Sequence, residues 1–140
     1  MKRIIYQNES GGVSVIIPTG ELSIEEVAAK DVPQGVPYEI VEDSDIPSDR
    51  FFRGAWVMGD CCVEHDLDQC KKIGHAKRRE MRAGEFAPYD DIIAKQIPGA
   101  DAAAAENARL QIREKYAFLQ ELIDTALTPE AIKSALEAAQ

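Results

Sequence analysis

Two histidines, three cysteines and one tryptophan are all this chain offers of the residues that most often carry chemistry. Three cysteines, two of them adjacent at Cys61 and Cys62, do not make the paired framework of a disulfide-stapled secreted domain, so a reducing cytoplasm is expected. No stretch approaches the roughly 20 apolar residues that span a bilayer. Met1-Lys2-Arg3 leads into only Ile4, Ile5 and Tyr6 before polar residues, so no signal peptide is expected. A basic surplus is lacking too. The net charge of −9 argues against non-specific binding to nucleic acid or anionic lipid, which needs spare Lys and Arg to neutralise phosphates. Nucleophile elbows, phosphate-cradling loops and a His-Glu-x-x-His pair are absent, so no catalytic residue is assigned and a non-enzymatic protein is expected. The carboxylates from Glu39 to Asp49 lack the alternation and turn glycine of a calcium loop.

What is present is a foldable composition, 45% hydrophobic and 29% charged over 140 residues, enough for one domain or two small subdomains. The charge is uneven. Residues 1–60 hold five basic and eleven acidic groups, residues 61–100 seven of each, and residues 101–140 four basic and seven acidic.

Two β-favouring runs, Lys2 to Tyr6 and Val13 to Ile17, flank a glycine-containing loop and predict a hairpin closed by Pro18. Ser23 with Glu26 forms a capping-box pattern, with Leu22 and Val27 placed as a staple, and predicts a helix over 24–30. Tyr38 to Val41 returns to strand character. The run Phe51-Phe52-Arg53-Gly54-Ala55-Trp56-Val57-Met58 holds two of four Phe and the only Trp; it either seals the N-terminal core or serves as a docking strip.

From Glu64 onward the signals are helical: a first helix to about Glu85, a short second one over 89–96 set off by Pro88, and a stop at Ile97-Pro98-Gly99. Ala105, Ala108, Ile112, Tyr116, Leu119, Ile123 and Ala126 step by threes and fours and predict one long amphipathic helix over 101–127. Such a rod spans on the order of 40 Å, so its stripe is expected to meet an antiparallel neighbour or a partner. Thr128-Pro129-Glu130 starts a last helix, with Leu127 expected to staple to Ile132. The fold class is therefore α+β: an N-terminal β subdomain at 1–60, made of a hairpin, one or two further strands and a short helix, then a C-terminal helical hairpin or bundle at 61–140.

One spacing looks like metal chemistry. Cys62-x2-His65-x4-Cys70-x4-His75, with Cys61 as a spare, offers thiolates and imidazoles suited to tetrahedral zinc. Its order departs from that of a zinc knuckle. On a helix His65, Cys70 and His75 step by five and share no face. No cofactor is expected. The cluster Lys71, Lys72, Lys77, Arg78, Arg79 and Arg82 reads as a solvated or partner-facing helix face, with phosphate binding as the alternative.

The string Ile46-Pro47-Ser48-Asp49-Arg50-Phe51-Phe52-Arg53-Gly54-Ala55-Trp56 resembles small bacteriophage proteins encoded beside tail and tail-fibre genes. The likeness includes Met1 to Tyr6 and Ile16-Ile17-Pro18-Thr19. It continues at Lys77-Arg78-Arg79-Glu80-Met81-Arg82, Glu85-Phe86-Ala87-Pro88 and Ile92 to Gly99, and so covers most of the chain. The Cys61 to Cys70 stretch departs from that pattern. The resemblance implies a tail-module protein working in the host cytoplasm during assembly or in the virion tail, with a tail-fibre or baseplate protein as partner. The partner surface is expected at Phe51, Phe52, Arg53, Trp56, Tyr116, Leu119 and Ile123, with self-association as a further use and no membrane contact. The rival reading is a regulatory or host-takeover protein binding zinc or nucleic acid through residues 61–82.

Overall fold

The computed structural model describes residues 1–96 and 98–140; Ile97, in the expected helix stop, lies outside the described residues. The fold is α+β, and the chain divides into two compact units, Met1–Gln69 and Cys70–Gln140. The boundary falls nine residues later than the sequence suggested, because a strand at Val63–His65 belongs to the first unit.

In the first unit β1 (Lys2–Gln7) is the centre of a three-stranded antiparallel sheet, between β2 (Val13–Ile16) and β3 (Tyr38–Glu42). Adjacent residues of a strand point to opposite faces, and Ile4 and Ile5 are both fully buried, so the central strand is covered on both sides. On the Ile4 face lies α1 (Ile24–Asp31), contributing Val27 and Ala28. Its start is the expected capping box: Glu26 N–H donates to Ser23 Oγ at 3.2 Å and Ser23 N–H to Glu26 Oε2 at 2.8 Å. On the Ile5 face sit Trp56 and Val63, from a hairpin of β4 (Trp56–Met58) and β5 (Val63–His65), with Val13, Val41 and Ile46.

That hairpin replaces the expected start of a helix at Glu64. Gly59 N–H donates to the Cys62 carbonyl at 2.9 Å, so Gly59, Asp60, Cys61 and Cys62 form the tight turn between two short strands. Helix α2 (Leu67–Lys95) begins after it, where Asp66 Oδ1 accepts from the N–H groups of Asp68 (3.0 Å) and Gln69 (3.3 Å).

The second unit packs α2 with α3 (Ala102–Asp124) and α4 (Pro129–Ala138). The long amphipathic helix is present, and every residue of its expected stripe is buried or half-buried. Its neighbour is α2, and polar links fix the two helices as antiparallel. Lys71 Nζ donates to the Asp124 carbonyl (2.9 Å), His75 Nε2 lies 2.7 Å from Asp124 Oδ1, Glu85 pairs with Lys115 (2.8 Å) and Asp90 with Arg109 (3.0 Å). Going up α2 the partners come from progressively earlier in α3.

Pro88 does not break α2. Its missing N–H leaves the Gly84 carbonyl without a helical partner, but both residues are exposed, so water can satisfy that group. The Glu85 and Asp90 pairs hold α2 to α3 on both sides of the proline. Thr128 caps α4 by accepting from Ala131 N–H at 3.2 Å. Leu127, expected to staple onto Ile132, is instead 86% exposed, while Ile132 is fully buried.

Candidate functional site

Of the seven residues expected to face a partner, five are interior. Phe52 and Trp56 are buried in the first unit, and Tyr116, Leu119 and Ile123 in the second. This corrects the expected docking strip: those five side chains are unavailable to a partner unless the unit opens. Large aromatic and aliphatic groups bury the most area, and here folding has already used them. Trp56 is further sheltered by the guanidiniums of Arg50 and Arg53, 5.2 and 5.8 Å from its ring centroid. Phe51 is half-buried and stands edge-on to Phe52 at 4.7 Å; Arg53 is exposed. Tyr116 carries its hydroxyl inside, and burial, then the charge of Glu85, pushes its pKa up to about 12.

The Cys and His residues are distributed rather than gathered. Cys62 lies in the β4–β5 turn and His65 at the end of β5 in the first unit, whereas Cys70 and His75 lie on α2 in the second. Among the described residues no three of His, Cys, Asp and Glu are grouped as metal ligands would be. The Cys61 and Cys62 sulfurs are 3.8 Å apart, and this contact, with desolvation second, raises the Cys62 thiol pKa. His65 stacks edge-on against Phe52 at 6.3 Å. Cys70 is fully buried. His75 Nδ1 accepts from Arg78 Nε at 3.3 Å while Nε2 faces Asp124, an arrangement that asks for the proton on Nε2.

The basic cluster is partly committed as well. Arg78 is buried, Lys71 closes the end of α3, Lys77 pairs with Glu80 at 3.3 Å, and Arg82 lies over Phe86 at 5.1 Å. Lys72 and Arg79 remain exposed on that stretch.

An exposed apolar pair on a strand paired along one side only lies elsewhere, at the β3 edge of the first sheet. The register pairs Ile4 with Ile40 and Tyr6 with Tyr38, which places all four on the face covered by α1. Yet α1 does not cover β3: Tyr38 is 43% and Ile40 38% exposed. A groove of about 710 Å³ is lined by Tyr6, Pro33, Val36 and Pro37, the last next to Tyr38 in sequence, and by the hairpin turn. The turn is held by Asn8, whose Oδ1 accepts from Ser10 N–H (3.1 Å), Ser10 Oγ (2.6 Å) and Gly12 N–H (3.0 Å). Sequence reasoning read β3 as a strand but did not single out Tyr38 and Ile40. The alternation Tyr38-Glu39-Ile40-Val41-Glu42 was visible; that the strand would lie at an edge was not.

The electrostatics separate along the same line. The first unit has fourteen Asp and Glu against five Lys and Arg, and the second eleven of each, so the whole net charge of −9 belongs to the unit with the open edge. Compared with models of protein families, with curated proteins and with solved structures, the chain matches none. Among the described residues no helix is long and apolar enough to cross a membrane.

Proposed function

We propose that this chain is a non-catalytic protein-binding subunit of a bacteriophage tail module, docking a tail-fibre or baseplate protein as a virion component or an assembly factor. The observation that carries the binding reading is the apolar strip of Tyr38 and Ile40, left exposed on a sheet face whose centre, at Ile4, is fully covered. The tail setting comes from the resemblance of the 46–56 string and its companions. An exposed apolar strip on a unit that carries a large net charge of one sign is the kind of surface that gains by covering and selects its partner electrostatically.

The rival reading, zinc or nucleic acid at residues 61–82, finds less support. Its histidines and cysteines are engaged with Phe52, Asp124 and each other, and much of its basic cluster is used within the second unit.

The test is affinity capture of the tagged chain co-expressed with the tail-fibre and baseplate polypeptides of the genome that encodes it. Stoichiometric retention of one of them, reduced by the double substitution Tyr38→Ser and Ile40→Ser, is the expected result. Capture of none, with the chain folded, overturns the reading. Mass spectrometry of purified virions then separates a permanent subunit from an assembly factor that leaves.

A further inference from the structure

The ladder between β1 and β3 decides which main-chain groups are free. Asp43 N–H donates to the Met1 carbonyl at 2.8 Å, and in an antiparallel pair hydrogen-bonded and non-bonded positions alternate. With Lys2 opposite Glu42, this parity makes Arg3 with Val41 and Ile5 with Glu39 the bonded pairs. The main-chain groups of Tyr38, Ile40 and Glu42 therefore point away from the sheet. Glu42 N–H is already satisfied, donating to Asp45 Oδ2 at 3.0 Å. Among the described residues nothing bonds to the N–H or carbonyl of Tyr38 or Ile40. Pro37 bounds the open stretch at one end and the Asp45 cap at the other.

We infer that β3 binds a partner by strand addition: an extended segment pairs antiparallel with Tyr38–Ile40, alternating apolar residues with Lys or Arg. The inference rests on the protein-binding reading above and specifies its chemistry. Residues of the added strand opposite Tyr38 and Ile40 lie on the α1 face, extending the rows Ile16–Ile4–Ile40 and Ser14–Tyr6–Tyr38, and are apolar to match. The intervening residue faces Glu39, which is half-buried on the other face and has no ion-pair partner among the described residues. Opposite a non-bonded position side chains approach most closely, so a cation there meets the Glu39 carboxylate. Charge also selects the occupant. A second copy pairing edge to edge would bring together two units that each carry the whole net charge of −9, whereas a basic strand is attracted.

The experiment titrates the full ¹⁵N-labelled chain with the peptide acetyl-(Val-Lys)4-amide and follows its amide resonances. Saturable shifts centred on residues 38–42 are expected, with affinity falling as salt is raised. The same peptide N-methylated at its valines keeps every side chain and charge but loses the donors that face β3. It should bind about tenfold more weakly or worse. On the protein side, Ile40→Pro takes away the outward N–H together with part of the apolar side chain, removes no donor of the β1 ladder, and should weaken binding similarly. Equal binding of the N-methylated peptide, of a block peptide with four Val followed by four Lys, or of acetyl-(Val-Glu)4-amide overturns strand addition. So does an absence of binding, or shifts that map away from β3. Capture of a tail polypeptide despite such a result would keep the protein-binding reading and remove only this mode.

Discussion

Gly74 on α2 and Ile132 on α4 meet so closely that a Cβ built on the glycine would lie 2.6 Å from Ile132 Cγ2. Ile123 Cγ2 would be 3.5 Å from the same point, so the missing side chain is what lets these three helices share one contact. Gly74→Ala gains helix propensity of up to about 1 kcal/mol but forces apart a close-packed interior at a cost of about 1–3 kcal/mol. The expected result is net destabilisation, seen as a lower urea midpoint. Ile132→Leu moves the branch away from Cβ and should recover part of the loss in the double variant, a coupling that independent sites would not show.

The links between α2 and α3 are complementary only in the antiparallel register. Lys115→Glu places a carboxylate against Glu85 and should cost about 0.5–1 kcal/mol; adding Glu85→Lys restores the pair with its sign reversed and should recover most of it. Chemical denaturation of the wild type, both single variants and the double variant at low salt checks this. Additive losses would remove the pairing.

Tyr116 makes the second unit sensitive to alkali. Its pKa is raised to about 12 by burial and by Glu85, against about 10 in an unfolded chain. Folding therefore favours the protonated phenol. The contribution, on the order of 1–2 kcal/mol, is fully present below pH 10 and is lost as pH rises toward 12. Tyr116→Phe should flatten the pH dependence of stability across that window, and ultraviolet difference titration should show one late-ionising tyrosine in the wild type only.

Trp56 is a core residue, so Trp56→Ala should destabilise the first unit by about 3–5 kcal/mol. Thermal unfolding followed by circular dichroism checks this. Any loss of partner binding in that variant should track loss of folding, unlike the loss expected from changing Tyr38 and Ile40 on the surface.

These contrasts show what the sequence carried and where it stopped. Local signals were legible: the Ser23 and Glu26 box, the Thr128-Pro129 start and the stripe from Ala105 to Ala126 all depend on residues a few positions apart. The β4–β5 hairpin was hidden because its turn, Gly59 to Cys62, holds two cysteines that suggest metal chemistry with the histidines beyond them. Pro88 suggested a break because sequence does not display the ion pairs that hold α2 on either side of it. The candidate site was least legible of all. Aromatic content pointed to Phe51 to Trp56, but exposure depends on which strand ends at the edge of the sheet, a property set by long-range pairing.

Amide hydrogen exchange tests the central claim, an open β3 edge that a partner strand closes, most directly. In the free chain the Glu39 and Val41 amides should exchange slowly and the Ile40 amide quickly, and binding of the captured tail polypeptide should slow Ile40 alone among the three. An Ile40 amide already protected in the free chain, or one that still exchanges quickly in the complex, would contradict the account.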